Sequence, residues 1–409
     1  MAFLINAHEV PGLISWFNNF VGYREIQKRV ERVDFKLRDI GVPVPALDRR
    51  YFFHRKYLAL AKRNRLYGKI DLSDPLNARI VGFLAAIRDL SALLDDGQRK
   101  QLRSRIIESL DPDRDVRELE HELRVFVHYR SAGLKIVPGD TNQERFDFLV
   151  HAESGEFEIE CKTFSESIGN SISIEDSIHA FRAFKAALNK SPNFVENGLL
   201  TLTVPRRIEM PEEEITEIIR TFLSDAPKER HADTYILKFH RKPEWDELLR
   251  QRDRESILQQ AATKFLDDNF HTVISISKSH AVVFALDSHC RPRPINAICS
   301  RLKKASEQFS GNRPAMIWGH FLGIDNDEFA ELLQRRKIDR PLFDVFGHYI
   351  FKEPRRSHVC RLRLSAEGNP RAMHQSRTGL LLPISISSSG GPAYDLTSHV
   401  SKFDFNLTQ

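Results

Sequence analysis

Cysteine is scarce in this chain, and its spacing excludes the small sites that cysteine usually builds. The sequence has 409 residues and four cysteines, with no Cys-x-x-Cys pair and no histidine partner at zinc-finger spacing. A structural zinc site or a disulfide framework needs such clusters. Neither is therefore expected to organise this fold.

Long hydrophobic runs are also missing. Charged residues interrupt the apolar stretches well before the ~20 residues that a membrane helix needs, and the N-terminal segment lacks a positive leader with a cleavage site. We therefore expect a soluble, cytoplasmic protein without a membrane partner. The length predicts two or three cores rather than one.

Net charge is small, but it is unevenly distributed. Hydrophobic residues make up 41% of the chain and charged residues 29%, a mixture that excludes a disordered protein. Residues 1–110 hold 20 Lys and Arg against 12 Asp and Glu, net +8, which leaves 41 against 44, net −3, for residues 111–409. The basic excess therefore lies in the first quarter of the chain.

Periodicity predicts an α/β fold, a mixed β-sheet flanked by helices, preceded by an all-α basic domain. Segments such as ARIVGFLAAIRDLSALL carry apolar residues at helical spacing in 1–110. From 111 onward a helix, the β-type runs LKIVP, ERFDFLVHA and GEFEIECKTF, a helix and the strand GLLTLTV follow in that order. We predict an α/β core over 111–330, a β extension over 331–381 that includes FDVFGHYIF and HVCRLRLS, and a loop and tail over 382–409.

The candidate catalytic residues lie in the stretch RFDFLVHAESGEFEIECKTF. Alternation along its two strands predicts that Asp147, Glu160 and Lys162 project from one face of the sheet. Clustered carboxylates are the hard oxygen ligands that Mg²⁺ prefers, and an adjacent ammonium can orient a water molecule or stabilise charge on a phosphate. The competing interpretation is a solvated face with a cross-strand ion pair.

This stretch resembles the PD-(D/E)XK nuclease superfamily, and more narrowly its Mrr-like and Holliday-junction-resolvase-like branches. The resemblance covers about residues 115–205, and Phe146 stands where the family's name-giving proline would be. The other acid-x-Lys triplet, Asp34 with Lys36, lies in a helical segment with no partner strand. The ordered set of helix, strands and acids is therefore more specific than the triplet alone.

The resemblance implies a restriction-endonuclease-like core and a Mg²⁺ cofactor, with Mn²⁺ as a substitute. It implies that Asp147, Glu160, the backbone carbonyl of Cys161 and a glutamate of the preceding helix hold the metal, with Lys162 beside the nucleophile. The helix glutamate is Glu122, although Glu118 one turn earlier is an alternative.

Other charged residues near the motif have a functional and a structural interpretation. Lys185, on the helix after the motif, could contact a phosphate, but a solvated helix face explains it as well. Glu158 is expected to be a solvated edge residue, and Asp115 with Glu118 resembles a capping box. His121 and its neighbouring histidines have no metal-ligand spacing and are expected to be ordinary surface or core residues.

Arginine and lysine alternate with tyrosine and phenylalanine in the N-terminal helices. This pattern is typical of surfaces that bind phosphates through the charges and stack on bases through the rings. Docking of a partner protein is the rival interpretation. The predicted nucleic-acid contacts are Arg49, Arg50, Arg55, Lys56, Lys62, Arg63 and Arg65.

We therefore expect a Mg²⁺-dependent nuclease that acts on nucleic acid, DNA rather than RNA. The alternatives are a catalytically silent binding protein on the same fold, or a subunit of a defence or repair complex that cuts when a partner signals. Since one chain holds one such site, double-strand cutting implies a homodimer. The sequence leaves strand specificity and oligomeric state open.

Overall fold

A computed structural model describes most of the chain. The described residues are 7–38, 50–67, 70–139, 146–153, 155–165, 167–225, 228–251, 253, 256, 257, 260, 271–276, 280–291, 293–324, 329, 331, 336, 337, 340–351, 356–366 and 385–389. Within these ranges we find no helix with both the length and the hydrophobicity that crossing a bilayer requires.

Helices and strands alternate from the middle of the chain onward. The helices are α1 (Val10–Phe17), α2 (Tyr23–Arg38), α3 (Phe52–Tyr67), α4 (Pro75–Ser91), α5 (Asp96–Ser109), α6 (Val116–Ser131), α7 (Ile174–Asn189), α8 (Glu212–Asp225), α9 (Glu244–Arg250), α10 (Pro294–Ser306) and α11 (Leu342–Phe351). The strands are β1 (Lys135–Pro138), β2 (Phe148–Ala152), β3 (Gly155–Phe164), β4 (Gly198–Val204), β5 (Glu229–Ala232), β6 (Tyr235–Arg241), β7 (His271–Ile276), β8 (Ala281–Ser288), β9 (Ala315–Phe321), β10 (Arg336–Lys337), β11 (Arg340–Pro341), β12 (Val359–Ala366) and β13 (Ser385–Ser389).

Two compact units divide the chain, and they are not consecutive segments. Unit 1 comprises Met1–Val33, Asp48–Glu166 and Asn296–Gln409, and unit 2 comprises Asp34–Leu47 and Ser167–Ile295. Most of unit 2 is thus inserted into the chain between β3 and α10. The domain boundaries predicted at residues 110 and 330 both fall inside unit 1.

The N-terminal helices and the following sheet share one apolar core, which explains why unit 1 spans the predicted boundary at 110. Phe53 of α3, Phe83 of α4, Phe126 of α6 and Trp318 of β9 belong to the same buried cluster. An N-terminal helical region was predicted correctly. Its apolar faces are buried against the α/β part of the protein.

Strand β3, which carries the motif, lies inside the main sheet of unit 1. The described strands of this sheet are ordered β1-β2-β3-β9-β12-β13. β3 pairs antiparallel with β2, Phe148 opposite Ile159, and parallel with β9, Glu160 opposite Ile317. From Phe157 to Phe164 every residue of β3 is buried except Lys162, which is half-buried. A mixed sheet flanked by helices is therefore confirmed.

Gly319 on β9 lies opposite Lys162 in the parallel pairing. A Cβ atom at this position would lie 2.6 Å from Phe164 Cε2 and 2.8 Å from Leu364 Cδ2. The strands β3 and β12 leave no space for a side chain here, so glycine is required by close packing.

Helix α6 precedes the strands of the motif, as predicted. Asp115 is its N-cap and accepts a hydrogen bond of 3.1 Å from Arg117 N, and Gly133 follows its C-terminal end with φ +83°. The capping-box role predicted for Glu118 is wrong, because its carboxylate instead accepts a hydrogen bond of 3.4 Å from Thr163 Oγ1. Glu118 therefore faces β3.

Unit 2 has its own sheet, with described strands in the order β5-β6-β4-β8-β7. β4 and β8 are parallel, and the other pairs are antiparallel. The rings of Phe184 on α7 and Phe284 on β8 stack with their centroids 4.8 Å apart. The strand predicted for GLLTLTV is confirmed as β4.

Two predictions for the C-terminal part are wrong. FDVFGHYIF was predicted as a strand but lies in helix α11, because Phe346 and Ile350 are four residues apart and are buried on one helix face. The predicted loop and tail contains β13, which pairs antiparallel with β12 through its backbone. The remainder of the predicted tail lies outside the described residues. HVCRLRLS forms β12 as expected.

Candidate metal centre

Asp147 and the motif strand are joined by a backbone contact. Asp147 immediately precedes β2, and its backbone N–H donates to Ile159 O at 3.0 Å. Its Oδ2 atom accepts a hydrogen bond of 2.7 Å from Cys161 N. Strand pairing therefore places the Asp147 carboxylate beside the residue that separates Glu160 from Lys162.

Glu160 is buried in the sheet, with a side chain that is 1% exposed. Its Oε1 atom accepts a hydrogen bond from Lys162 Nζ. Its Oε2 atom is buried and has no hydrogen-bond partner among the described residues. A buried carboxylate oxygen without a partner is costly, and a bound cation is one of the few groups that would compensate it.

The three predicted acids influence one another electrostatically. Burial raises the pKa of Glu160 to about 8, with the Asp147 carboxylate as the second cause, while Lys162 opposes the rise. Burial and the Asp147 carboxylate also raise the pKa of Glu122 to about 7, which Arg105 opposes. The sequence prediction that these acids converge is thus met in the structure, and their negative charges are only partly compensated.

A cavity of about 500 Å³ opens at these carboxylates. We call it the acidic cavity. Its described lining comprises Glu118, His121, Glu122, Asp147, Glu160, Cys161, Lys162, Thr163, Arg301, Lys304 and Gln308.

The donor set suits Mg²⁺, although no three His, Cys, Asp or Glu side chains of the described residues form a ready-made metal site. Mg²⁺ commonly binds through one or two carboxylates and keeps several water molecules or substrate phosphates as its other ligands. The unpartnered Oε2 of Glu160 and the neighbouring Asp147 carboxylate meet that need. The contact that the structure shows at Cys161 comes from its N–H, so a metal role of its carbonyl stays a prediction.

Both candidate helix glutamates line the acidic cavity. Glu122 forms an ion pair of 2.6 Å with Arg105 and is the one whose pKa responds to Asp147. Glu118 is more exposed and contacts Thr163. Glu122 is therefore the better candidate, although a metal there would have to compete with Arg105.

Helix α10 and the turn after it contribute cavity residues that were not predicted from the sequence. Arg301 and Lys304 on α10 and Gln308 in the turn line the cavity, and Arg301 Nη1 donates to Thr163 O at 2.8 Å. These residues stand more than 130 positions after Lys162, in a charged segment whose pattern is that of a solvent-exposed helix. The signal that could have found them is the buried strand PAMIWGHF directly after the helix, since β9 pairs with β3.

Lys185 belongs to unit 2, on α7, where it is half-buried. The sequence analysis placed it near the motif because α7 follows β3 in the chain. The helix that lines the acidic cavity of unit 1 is instead α10. A phosphate contact by Lys185 stays a prediction.

Glu158 was predicted to be a solvated edge residue, and this is wrong. Its side chain is 0% exposed, because β3 is covered on both faces. It accepts hydrogen bonds from Ser310 N at 2.9 Å and Arg313 Nη1 at 3.3 Å, and also from Ser310 Oγ. Glu158 therefore anchors the loop before β9.

His121 is buried beside the acidic cavity. Its Nε2 atom lies 3.0 Å from Trp318 O, and its ring stacks on His320 with centroids 4.8 Å apart. Burial lowers the pKa of His121 to about 4, so it is neutral near pH 7. These contacts agree with the core role expected for it.

The predicted nucleic-acid surface is only partly exposed. Arg50 is buried over the Tyr51 ring, which excludes it as a surface contact, and Lys56 pairs with Asp74 at 2.7 Å. Tyr51, Phe52, Phe53 and Tyr57, which interleave with these charges, are also buried and are not available for base stacking, whereas Tyr23 and Phe35 on α2 are exposed. Arg49 lies outside the described residues, as does the side chain of Arg55. The exposed members of the set are Lys62, Arg63 and Arg65.

Comparison with protein-family models, with curated proteins and with solved structures finds no match for this chain. The functional argument therefore rests on the geometry of the acidic cavity.

Proposed function

We propose that this protein is a metal-dependent nuclease that hydrolyses phosphodiester bonds, with DNA as the expected substrate. The observation that carries the proposal is the buried Glu160, which has one unpartnered oxygen and lines a cavity together with Asp147 and Lys162. A purely structural ion pair gives no reason to bury a carboxylate with one oxygen unsatisfied beside further acids.

The order of elements supports the same proposal. α6, β1, β2 and β3 are followed, after the insertion of unit 2, by α10 and β9, and β9 is parallel to β3. The α-β-β-β-α-β order was expected from α7 and β4, which belong to unit 2; within unit 1 it is completed by α10 and β9. The resemblance itself stays a proposal.

Each cavity residue has a role in this proposal. Asp147 and Glu160, with Glu122 as a further candidate, would hold Mg²⁺ or Mn²⁺. The bound ion would neutralise phosphate charge and lower the pKa of a bound water. Lys162 Nζ would orient the attacking water or stabilise the charge that develops on the phosphate. Arg301 and Lys304 would bind the phosphate backbone as cations at the cavity wall.

A catalytically silent binding protein is the second candidate, and one observation favours it. Lys162 and Arg105 already pair with Glu160 and Glu122. A fold that has lost its metal could be stabilised in this way. The third possibility, a subunit that cuts only when a partner signals, predicts metal binding without cleavage by the purified protein.

The test is cleavage of linear, circular and single-stranded DNA and of RNA, with Mg²⁺, with Mn²⁺ and with EDTA. The proposal expects cleavage of at least one substrate that EDTA abolishes. Glu160→Ala should abolish it, whereas Glu153→Ala, in the exposed turn before β3, should cut like the wild type. Full activity of Glu160→Ala would contradict the proposal.

A further inference from the structure

A second cavity adjoins the acidic cavity and differs from it in character. Its volume is about 430 Å³, and its apolar walls include Leu94, Leu102, Leu119, Leu123, Phe146 and Phe148. We call it the side pocket. This volume lies in the range of about 300–1,000 Å³ that is usual for small-molecule sites.

The two cavities share walls at the carboxylates. Glu122, Asp147 and Gln308 line both of them. A group in the side pocket would therefore lie directly beside a phosphate in the acidic cavity. If the substrate is a nucleic acid, as proposed above, that group is a sugar or a base next to the phosphate.

The lining of the side pocket does not suit a second phosphate. Among the described residues that line it, the one cation is Arg105, which already pairs with Glu122 at 2.6 Å. Leucine and phenylalanine walls suit the face of a neutral aromatic ring. The amide side chains of Gln98, Gln101 and Gln308 at the same pocket can pair with the donors and acceptors on a base edge.

We propose that the side pocket binds one unpaired nucleobase adjacent to the scissile phosphate, so that the substrate is single-stranded DNA or a duplex with an unpaired nucleotide. The inference rests on the proposed nuclease function and names its substrate class. A base inside a duplex is stacked and its edge is paired, so it reaches a separate pocket only after leaving the helix. Selectivity for unpaired nucleotides follows from that cost.

The first test compares two single strands of equal length, one of thymidine nucleotides and one of abasic tetrahydrofuran nucleotides, with Mg²⁺. Both have the same phosphodiester backbone. The thymidine strand should be cut about tenfold faster or more, the size expected for one bound base. Equal rates would overturn the base pocket and leave the nuclease intact. If neither strand and none of the duplex and RNA substrates is cut, the proposed nuclease function fails as well.

The second test compares a fully paired duplex with the same duplex that carries one unpaired nucleotide. Cutting should occur beside the unpaired nucleotide and should be about tenfold faster or more than cutting of the paired duplex. Equal cutting of the two duplexes would contradict the inference.

A variant that fills the side pocket tests the site directly. Gln101 on α5 is exposed and lines the pocket, whereas its exposed neighbour Lys100 is not among the described residues that line it. Gln101→Trp should slow cutting of the thymidine strand about tenfold, while Lys100→Trp should not. Both should bind Mn²⁺ like the wild type, which separates a filled pocket from a damaged metal centre. Wild-type cutting by Gln101→Trp would contradict the proposal.

Discussion

Asp147 Oδ2 accepts a hydrogen bond of 2.7 Å from the backbone N–H of Cys161, the residue between Glu160 and Lys162. The position of the aspartate is therefore set by the pairing of two strands rather than by flexible side chains. This backbone contact holds the Asp147 carboxylate in the acidic cavity that Glu160 also lines, where a cation site needs it.

Replacing Glu160 by glutamine should separate activity from stability. Glu160→Gln keeps the shape of the side chain but removes the carboxylate that would hold the metal. Cleavage should fall about 100-fold or more, because one group that would hold the charge-stabilising metal is lost. The free energy of unfolding should change by no more than about 1 kcal/mol, because the glutamine oxygen can still accept from Lys162 Nζ and its amide nitrogen takes the place of the unpartnered Oε2.

Cleavage assays and urea denaturation check this prediction. Glu153→Gln, at the exposed turn, is the control and should change neither quantity. A Glu160→Gln protein that unfolds easily would instead show that Glu160 has a structural role.

Divalent metal should stabilise the folded protein. Mn²⁺ at 100 times its dissociation constant should raise the free energy of unfolding by about 2.7 kcal/mol if it binds the folded state alone. Thermal denaturation with Mn²⁺ and with EDTA measures the shift. Asp147→Asn and Glu160→Gln should each remove it. An unchanged melting temperature in the wild type at high Mn²⁺ would argue for the silent binding protein.

Lys304 should contribute to nucleic-acid binding through its charge. It is exposed on α10 and lines the acidic cavity, whereas its exposed neighbour Lys303 does not. Lys304→Ala should weaken DNA binding to a similar extent for every DNA sequence. It should also reduce the steepness of the plot of log binding constant against log salt concentration by about 1, as expected for one lost phosphate contact. Fluorescence anisotropy at several salt concentrations, with Lys303→Ala as the matched control, decides this. Equal slopes for the two variants would exclude Lys304 from the interface.

Two buried histidines should make the fold sensitive to acid. Burial lowers the pKa of His128 to about 3, with Arg363 adding to the effect, and burial lowers the pKa of His320 well below its usual value. The unfolded chain takes up protons below about pH 6.5 that the folded protein does not bind. Stability is therefore complete above that pH and falls as pH decreases, by about 1.4 kcal/mol per pH unit for each histidine.

Urea denaturation between about pH 7.5 and 4.5 measures this slope. His320→Gln should lower the slope of unfolding free energy against pH by the contribution of one histidine, about 1.4 kcal/mol per pH unit. This change in slope is expected whatever the substitution does to stability at neutral pH. His179→Gln, at an exposed position on α7, should leave the slope unchanged. A pH-independent stability of the wild type would show that these histidines are protonated in the fold.

The motif could be found in the sequence because its geometry is local. Asp147 and Glu160 belong to neighbouring strands joined by a short turn, and alternation along β3 separates Glu160 from Ile159. A period of two is visible without knowledge of the rest of the fold. The helix that ends before Gly133 was found for the same reason.

Non-local packing explains what the sequence analysis missed. Arg301 reaches Thr163 only because β9 pairs with β3 after most of unit 2 has been inserted between them. Glu158 looked exposed because alternation along a strand implies one solvent-exposed face, whereas β3 is buried on both faces. Arg50 looked like a surface charge, but it lies just before α3, which packs into a shared core, and its side chain is buried.

Gly319 gives this fold a simple marker. Because a methyl group there would meet Phe164 and Leu364, any replacement must displace these two buried side chains, and Phe164 belongs to the strand that presents Lys162. A saturation library selected for cleavage should keep glycine at 319 even where the neighbouring Ile317 tolerates valine or leucine. The tripeptide Trp318-Gly319-His320, more than the charged triplet, is then the signature by which distant relatives could be recognised.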